Sequence, residues 1–145
     1  MKKFNINILL VLAIFMAGCG ANAMIAKKVE SKVYKINYIV LDNEELKAPE
    51  SATLGFKNDR IYGNAGCNRY FAGIKWLDDK TLEISNAGST KMLCHDEEAN
   101  SFEYQYLLNL GDKFNIVYDE QTITLINDKI SIVLDSTSAT LEETE

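Results

Sequence analysis

Histidine occurs once in this chain, at His95, and no two of its three cysteines are spaced as C-x-x-C. A closed zinc site wants four ligands, and a reactive thiol pair normally has the close spacing that lowers one thiol's pKa. Cys67, Cys94 and His95 therefore fall short of both chemistries, and a thiol or metal enzyme built on Cys67 and Cys94 is kept only as an alternative. No G-x-S-x-G elbow is present, so Ser89, His95 and the many acids do not add up to a hydrolase. The spacing of a calcium-binding EF-hand loop is missing too, which leaves Asp42, Glu44, Glu45, Asp78 and Asp79 as carboxylates gathered in turns. Positive charge is scarce, with 15 Lys and Arg against 21 Asp and Glu. That balance opposes nucleic acid and anionic lipid head groups as partners. The expectation is a protein without enzymatic activity, cofactor or metal.

What is present begins at the amino terminus. Lys2 and Lys3 precede an apolar run from Ile6 to Phe15, broken by Asn7 and too short to stay in a bilayer as a spanning helix, and small residues follow. This is an export signal. Its last four residues, Met16-Ala17-Gly18-Cys19, resemble a bacterial lipobox, in which the cysteine is acylated and becomes the new amino terminus; a plain signal cut near Ala21 or Ala23 is the alternative. Removing residues 1–18 leaves 145 − 18 = 127 residues, one domain's worth, with a formal charge of 13 − 21 = −8. Two or three acyl chains would then hold the protein on the membrane, each buried methylene contributing roughly 0.8 kcal/mol. Gly20 in place of Asp favours the outer membrane, facing the periplasm. Lipidating Cys19 also leaves one pair of cysteines, Cys67 and Cys94. If bonded they close a loop of about 28 residues, for roughly 3.5 kcal/mol at best; two buried free thiols are the alternative.

Residues 19–32 read as the lipidated cysteine and its tether, with a span of roughly 20 Å. A period of two then predominates over Val33–Leu41, Ala52–Phe56, Arg60–Asn64, Tyr70–Leu77, Thr81–Ser85, Lys113–Tyr118, Thr122–Ile126 and Ile130–Leu134. Between them, Ala99, Phe102, Tyr106 and Leu110 recur at helical spacing, with Asp96 placed to cap the helix, Glu97 and Glu98 at its positive end and Gly111 at its stop. The fold class is mainly β (α+β): a curved antiparallel sheet or partly closed barrel of about seven short strands with one helix packed on it. The domain is expected over residues 33–135, and the acidic tail 136–145 is expected to be flexible.

The densest motif is Gly63-Asn64-Ala65-Gly66-Cys67-Asn68-Arg69-Tyr70-Phe71-Ala72-Gly73, and a second, Ser89-Thr90-Lys91-Met92-Leu93-Cys94, precedes the helix. Gly63, Gly66 and Gly73 permit positive backbone dihedrals or close chain approach, and Asn68 suits a turn. The conjunction of G-x-x-G-C-N-x-Y-x-x-G with T-x-M-x-C and an acidic helix start resembles the META domain of the HslJ heat-shock protein family over roughly Val33 to Leu134. The matching positions are Gly63, Gly66, Cys67, Asn68, Tyr70, Gly73, Thr90, Met92 and Cys94. The resemblance implies a small β domain with one helix, and an envelope protein of stress and novobiocin tolerance with no catalytic group.

The expected function is accordingly that of a lipid-anchored envelope protein that binds a protein or lipid partner. A carrier or pilot-like chaperone for a hydrophobic ligand or an outer-membrane partner is the runner-up, for which Trp76, Tyr70, Phe71 and Tyr106 are candidate pocket residues if they are not simply core. Cys19→Ala should abolish acylation and release the domain from membranes. Incorporation of labelled palmitate together with membrane fractionation measures both, and an unacylated variant that stays on the membrane would remove the lipoprotein reading.

Overall fold

A computed structural model describes residues 28–141 of the protein. The expected signal peptide, Cys19 and most of the expected tether lie outside the described residues. Ten strands and one long helix follow in chain order: β1 (Lys32–Leu41), β2 (Glu44–Lys47), β3 (Thr53–Lys57), β4 (Arg60–Asn64), β5 (Arg69–Trp76), β6 (Thr81–Ile84), β7 (Gly88–Ser89), α1 (Glu97–Leu110), β8 (Lys113–Tyr118), β9 (Thr122–Ile126) and β10 (Ile130–Leu141). Among the described residues no helix is long and apolar enough to cross a membrane.

The sheet is antiparallel and closes on itself. Its order is β10-β9-β8-β6-β5-β4-β3-β1-β2, and a further β10–β1 pairing joins the ends into an eight-stranded barrel. Closure rests on β1, which pairs along its length with β10 on one edge and shares the other between β3, at Lys32–Lys35, and β2, at Tyr38–Leu41. Strand β5 is shared in the same way, between β7 at Tyr70–Phe71 and β6 at Ile74–Trp76. The added strands β2 and β7 thus continue edges that the barrel strands leave open. An eight-stranded barrel is just wide enough for side chains to fill. Tyr34, Ile39, Leu54, Phe56, Ile61, Leu82, Phe114, Ile123 and Leu125 fill this one.

Several expectations change with the tertiary structure. The period of two that predominates along β1 breaks between Ile36 and Tyr38, where a register shift moves the next buried residue to Ile39. The acids at Glu44 and Glu45 lie on β2, which turns back from β1 through Asp42 and Asn43, both with positive φ (50° and 65°). Asp and Asn tolerate that conformation, and it suits a two-residue hairpin. The tail does not fray at residue 136, because β10 continues to Leu141 and pairs Thr140 with Val33 and Leu141 with Lys32. At the other boundary Val29 is fully buried, so the ordered domain begins before the expected residue 33.

Helix α1 caps one end of the barrel. The β4–β5 turn, the start of β3, the chain after β6 and the start of β8 all lie at that end. The described chain enters at the opposite end, where the Lys28 ammonium sits 3.6 Å from the Tyr118 ring centroid. Asp96 caps α1 as expected, accepting from the backbone N–H of Glu98 (2.9 Å) and Ala99 (3.1 Å). Gly111 ends the helix for a different reason from the left-handed turn usual at such stops, since its φ is −80°. A Cβ there would stand 2.7 Å from Asn86 Oδ1.

The apolar stripe of α1, namely Ala99, Phe102, Tyr106 and Leu110, is buried. Phe102 stacks on Tyr106 with ring centroids 5.7 Å apart, and Tyr106 meets Tyr70 edge-on at 5.3 Å. Phe102→Asp should prevent stable folding, because it leaves an unpaired carboxylate in a fully buried position, while Phe102→Ala should fold with a loss of about 3–5 kcal/mol. Urea titration followed by circular dichroism measures both, and a native-like transition for Phe102→Asp would contradict the packing described here.

Candidate functional site

The two sequence motifs meet at the helix-capped end, and Asn68 is where they join. Gly63 allows β4 to cross close to β3, since a Cβ there would collide with the Thr53 carbonyl oxygen. Gly66 then turns the chain with φ of +117°. Its N–H donates to Asn64 Oδ1 (2.7 Å), and the Ala65 N–H donates to the Asn68 carbonyl (2.8 Å). This tight turn delivers Asn68, 4% exposed, to the underside of the Thr90–Cys94 segment.

Every polar atom of the Asn68 side chain is used there. Its Oδ1 accepts from Thr90 Oγ1 (2.8 Å) and the Met92 N–H (2.7 Å). Its Nδ2 donates to Glu103 Oε1 (2.7 Å) and, more weakly, to the Met92 carbonyl (3.4 Å). The Thr90 hydroxyl oxygen accepts from the Arg69 N–H (3.1 Å), and the Thr90 N–H donates to the Arg69 carbonyl (3.0 Å). Thr90, Met92 and Asn68 are therefore architectural positions. Met92 contributes through its backbone, and its side chain is exposed.

Glu103 completes the arrangement from α1. One oxygen accepts from the backbone N–H groups of Asn68 (2.6 Å) and Cys67 (3.2 Å), and the other from Asn68 Nδ2. Sequence reasoning missed this residue. A signal for it exists, because positions 99, 103, 106 and 110 fall on one helical face, and an acid in the middle of an apolar stripe implies a specific partner. The expected adjacency of Cys67 and Cys94 is found: they form a disulfide with Cα atoms 6.1 Å apart. The bond ties the β4–β5 turn to the segment entering α1.

Tyr70 and Tyr106 sit just beneath. Their hydroxyls are 2.7 Å apart, and Tyr70 donates to the Thr53 carbonyl at 3.0 Å. Burial, reinforced for Tyr70 by the neighbouring phenol, pushes both well above the ordinary tyrosine range. Both therefore stay neutral in all ordinary conditions. They belong to the core, as does the partly buried Trp76, whereas Phe71 stands outside at 61% exposure and is not a pocket residue of the interior. Gly73 lies on β5, where its N–H donates to Ser85 Oγ (2.9 Å). His95 is exposed at the entrance to α1.

Two chemical properties follow. Cys67, Cys94 and Glu103 bring their ligand atoms within 4.8 Å of one another, a grouping of three metal-ligating residue types. With the disulfide formed the sulfurs are not thiolates, and Glu103 is already committed to three donors. Above this polar floor runs an open groove of about 600 Å³ between α1 and the Thr90–Leu93 segment. Its rim carries exposed apolar side chains, with Met92 at 60%, Leu93 at 85%, and Tyr104 and Leu108 each at 65%, interspersed with Ser89, Lys91 and Asn100.

An eight-stranded barrel whose end is closed by one helix, locked by a half-buried Asn–Glu pair and a disulfide, defines a small β-barrel domain with a surface groove. Residues 27–139 match the META domain, and the chain belongs to the META domain family. Its fold is similar to that of a protein from Burkholderia xenovorans solved by NMR, with a TM-score of 0.63 at 21% identity over 83% of this chain and 92% of that one. A second NMR structure gives a TM-score of 0.59 at 15% identity over 78% of this chain and 95% of that one. No curated protein matches the chain.

Glu103→Gln should destabilise the domain by about 1–3 kcal/mol, because an amide offers one acceptor oxygen where three donors now share two. Urea unfolding of the oxidised protein measures this. An unchanged midpoint would mean that the Asn68 hub does not hold the helix.

Proposed function

We propose that this chain is a non-enzymatic, HslJ-like envelope protein, held by acyl chains on Cys19 at the outer membrane and acting in stress or novobiocin-type tolerance by binding. The observation that carries the reading is the contrast at the helix-capped end. The polar groups of the motif are consumed internally, whereas the groove beside them presents Met92, Leu93, Tyr104 and Leu108 to solvent. Exposed apolar side chains gathered along one groove are what a binding surface needs, and the motif's polar groups, already paired with one another, are not free to act on a substrate.

The placement of the groove agrees with an anchor at the other end. The described chain begins at the end of the barrel away from α1, so a tether to an acylated Cys19 would join the domain at the end opposite the groove. A pilot-like variant, in which the groove holds an apolar segment of an outer-membrane partner, draws on the same side chains. The thiol or metal alternative draws on the Cys67, Cys94 and Glu103 grouping, and requires a reduced pair.

Strains carrying each variant at matched, folded abundance test the proposal. The double variant Leu93→Asp with Leu108→Asp should lose novobiocin tolerance, because charges at the rim oppose apolar docking. His95→Ala should retain it. Loss of tolerance with His95→Ala, or full tolerance with the charged groove, would overturn the binding reading.

A further inference from the structure

Of the positions that the G-x-x-G-C-N-x-Y-x-x-G motif leaves unspecified, Arg69 and Phe71 point outward from β5, whereas Ala65 and Ala72 are buried. Along β4 and β5, Ile61, Tyr70 and Ala72 enter the core, while Arg60, Tyr62, Arg69 and Phe71 stand on the outer face. Tyr62 and Phe71 are paired directly across the two strands. Each ring rests on a glycine. A Cβ on Gly55 would come within 2.7 Å of the Tyr62 ring, and one on Gly88 within 3.1 Å of the Phe71 ring. The two aromatics therefore lie down along the sheet, one toward β3 and the other toward β7.

Beside them is a depression of about 400 Å³, lined by Lys57, Arg60 and Arg69 and by no carboxylate. Among the described residues Arg60 and Arg69 form no ion pair. In a chain with a formal charge of −6, the Arg60 and Arg69 guanidinium groups meet no carboxylate in this depression and are suited to an anion from outside. The depression lies on the side wall of the barrel, apart from the groove beside α1.

We propose that this face binds an acidic glycan. The planar guanidinium forks of Arg60 and Arg69 match carboxylate oxygens in pairs, and the flattened rings of Tyr62 and Phe71 cover the apolar faces of the sugar rings between those charges. A nucleic acid is the poorer match, since single-stranded sites track roughly 4–16 nucleotides of backbone and need a longer run of cations. An anionic bilayer rewards a broad cluster of basic residues near its surface, and here the cations are confined to one small depression.

The lipidated full chain in neutral detergent, titrated calorimetrically with polygalacturonate, neutral dextran, oligo-dT or phosphatidylglycerol vesicles, tests the proposal. Polygalacturonate should bind at least about tenfold more tightly than the other three, and more weakly as salt is raised. Arg60→Gln with Arg69→Gln should lose about tenfold or more of that affinity, and Phe71→Ala should lose several-fold although the charge is unchanged. Melting curves verify that these exposed-residue variants stay folded. The groove variant Leu93→Asp with Leu108→Asp should bind polygalacturonate normally, which separates this face from the binding reading of the groove. Unchanged affinity in the arginine variant, unchanged affinity in Phe71→Ala, or tighter binding to oligo-dT or vesicles would overturn it.

Discussion

The bidentate contact between the Glu103 carboxylate and Asn68 is the interaction on which the capped end of this barrel depends. It joins elements distant in sequence, the turn after β4 and the middle of α1, through Asn68 N–H and Nδ2. The other side of the same amide holds Thr90 and the Met92 backbone. A buried polar group without partners is costly, and a buried network is sound only when every member is satisfied. Here the amide is fully employed, so only one placement of the helix satisfies it. The disulfide beside it ties the same turn covalently to the segment entering α1, and the Tyr70–Tyr106 contact carries the join down into the core.

This arrangement explains why a motif dense in Asn, Thr, Cys and Tyr need not signal catalysis. A general base or nucleophile must be within reach of a substrate, and these groups are spent on one another. What the network leaves outside is informative for the same reason. Fixing the Thr90–Cys94 segment presents Met92 and Leu93 opposite Tyr104 and Leu108, while the alternation of β5 sends Arg69 and Phe71 to the outer wall. The motifs thus build one end of the barrel and, through the side chains that the network leaves outside, dress two separate surfaces.

Residues with strong local patterns were legible in the sequence: eight strands by their alternation, and α1 by its apolar spacing and its Asp96 cap; parity made Cys67 and Cys94 a candidate pair but could not show that they meet. Short elements were not. Strand β7 spans only Gly88–Ser89, and β2 carries Glu-Glu-Leu-Lys, too polar and brief to show a period. Strand β10 extends to Leu141 through a Ser- and Thr-rich stretch that reads as tail. It is held there by contacts such as the Lys35 N–H to Ser138 Oγ (2.8 Å), which no local rule anticipates. Phe71 looked like core by residue type, and only the barrel's inside and outside assign it to the surface.

The sequence by itself determined the class of elements, the likeness to the META domain and the residues of the motif, because backbone propensity, capping and hydrophobic period act over a few neighbouring positions. Tertiary structure decided the closure of β1 on β10, the partnership of Glu103 with Asn68 and the separation of the apolar groove from the basic aromatic wall. Those depend on which distant strands meet and in what register. A register is selected by the summed burial and hydrogen bonding of the whole sheet, a quantity that no short stretch of sequence contains.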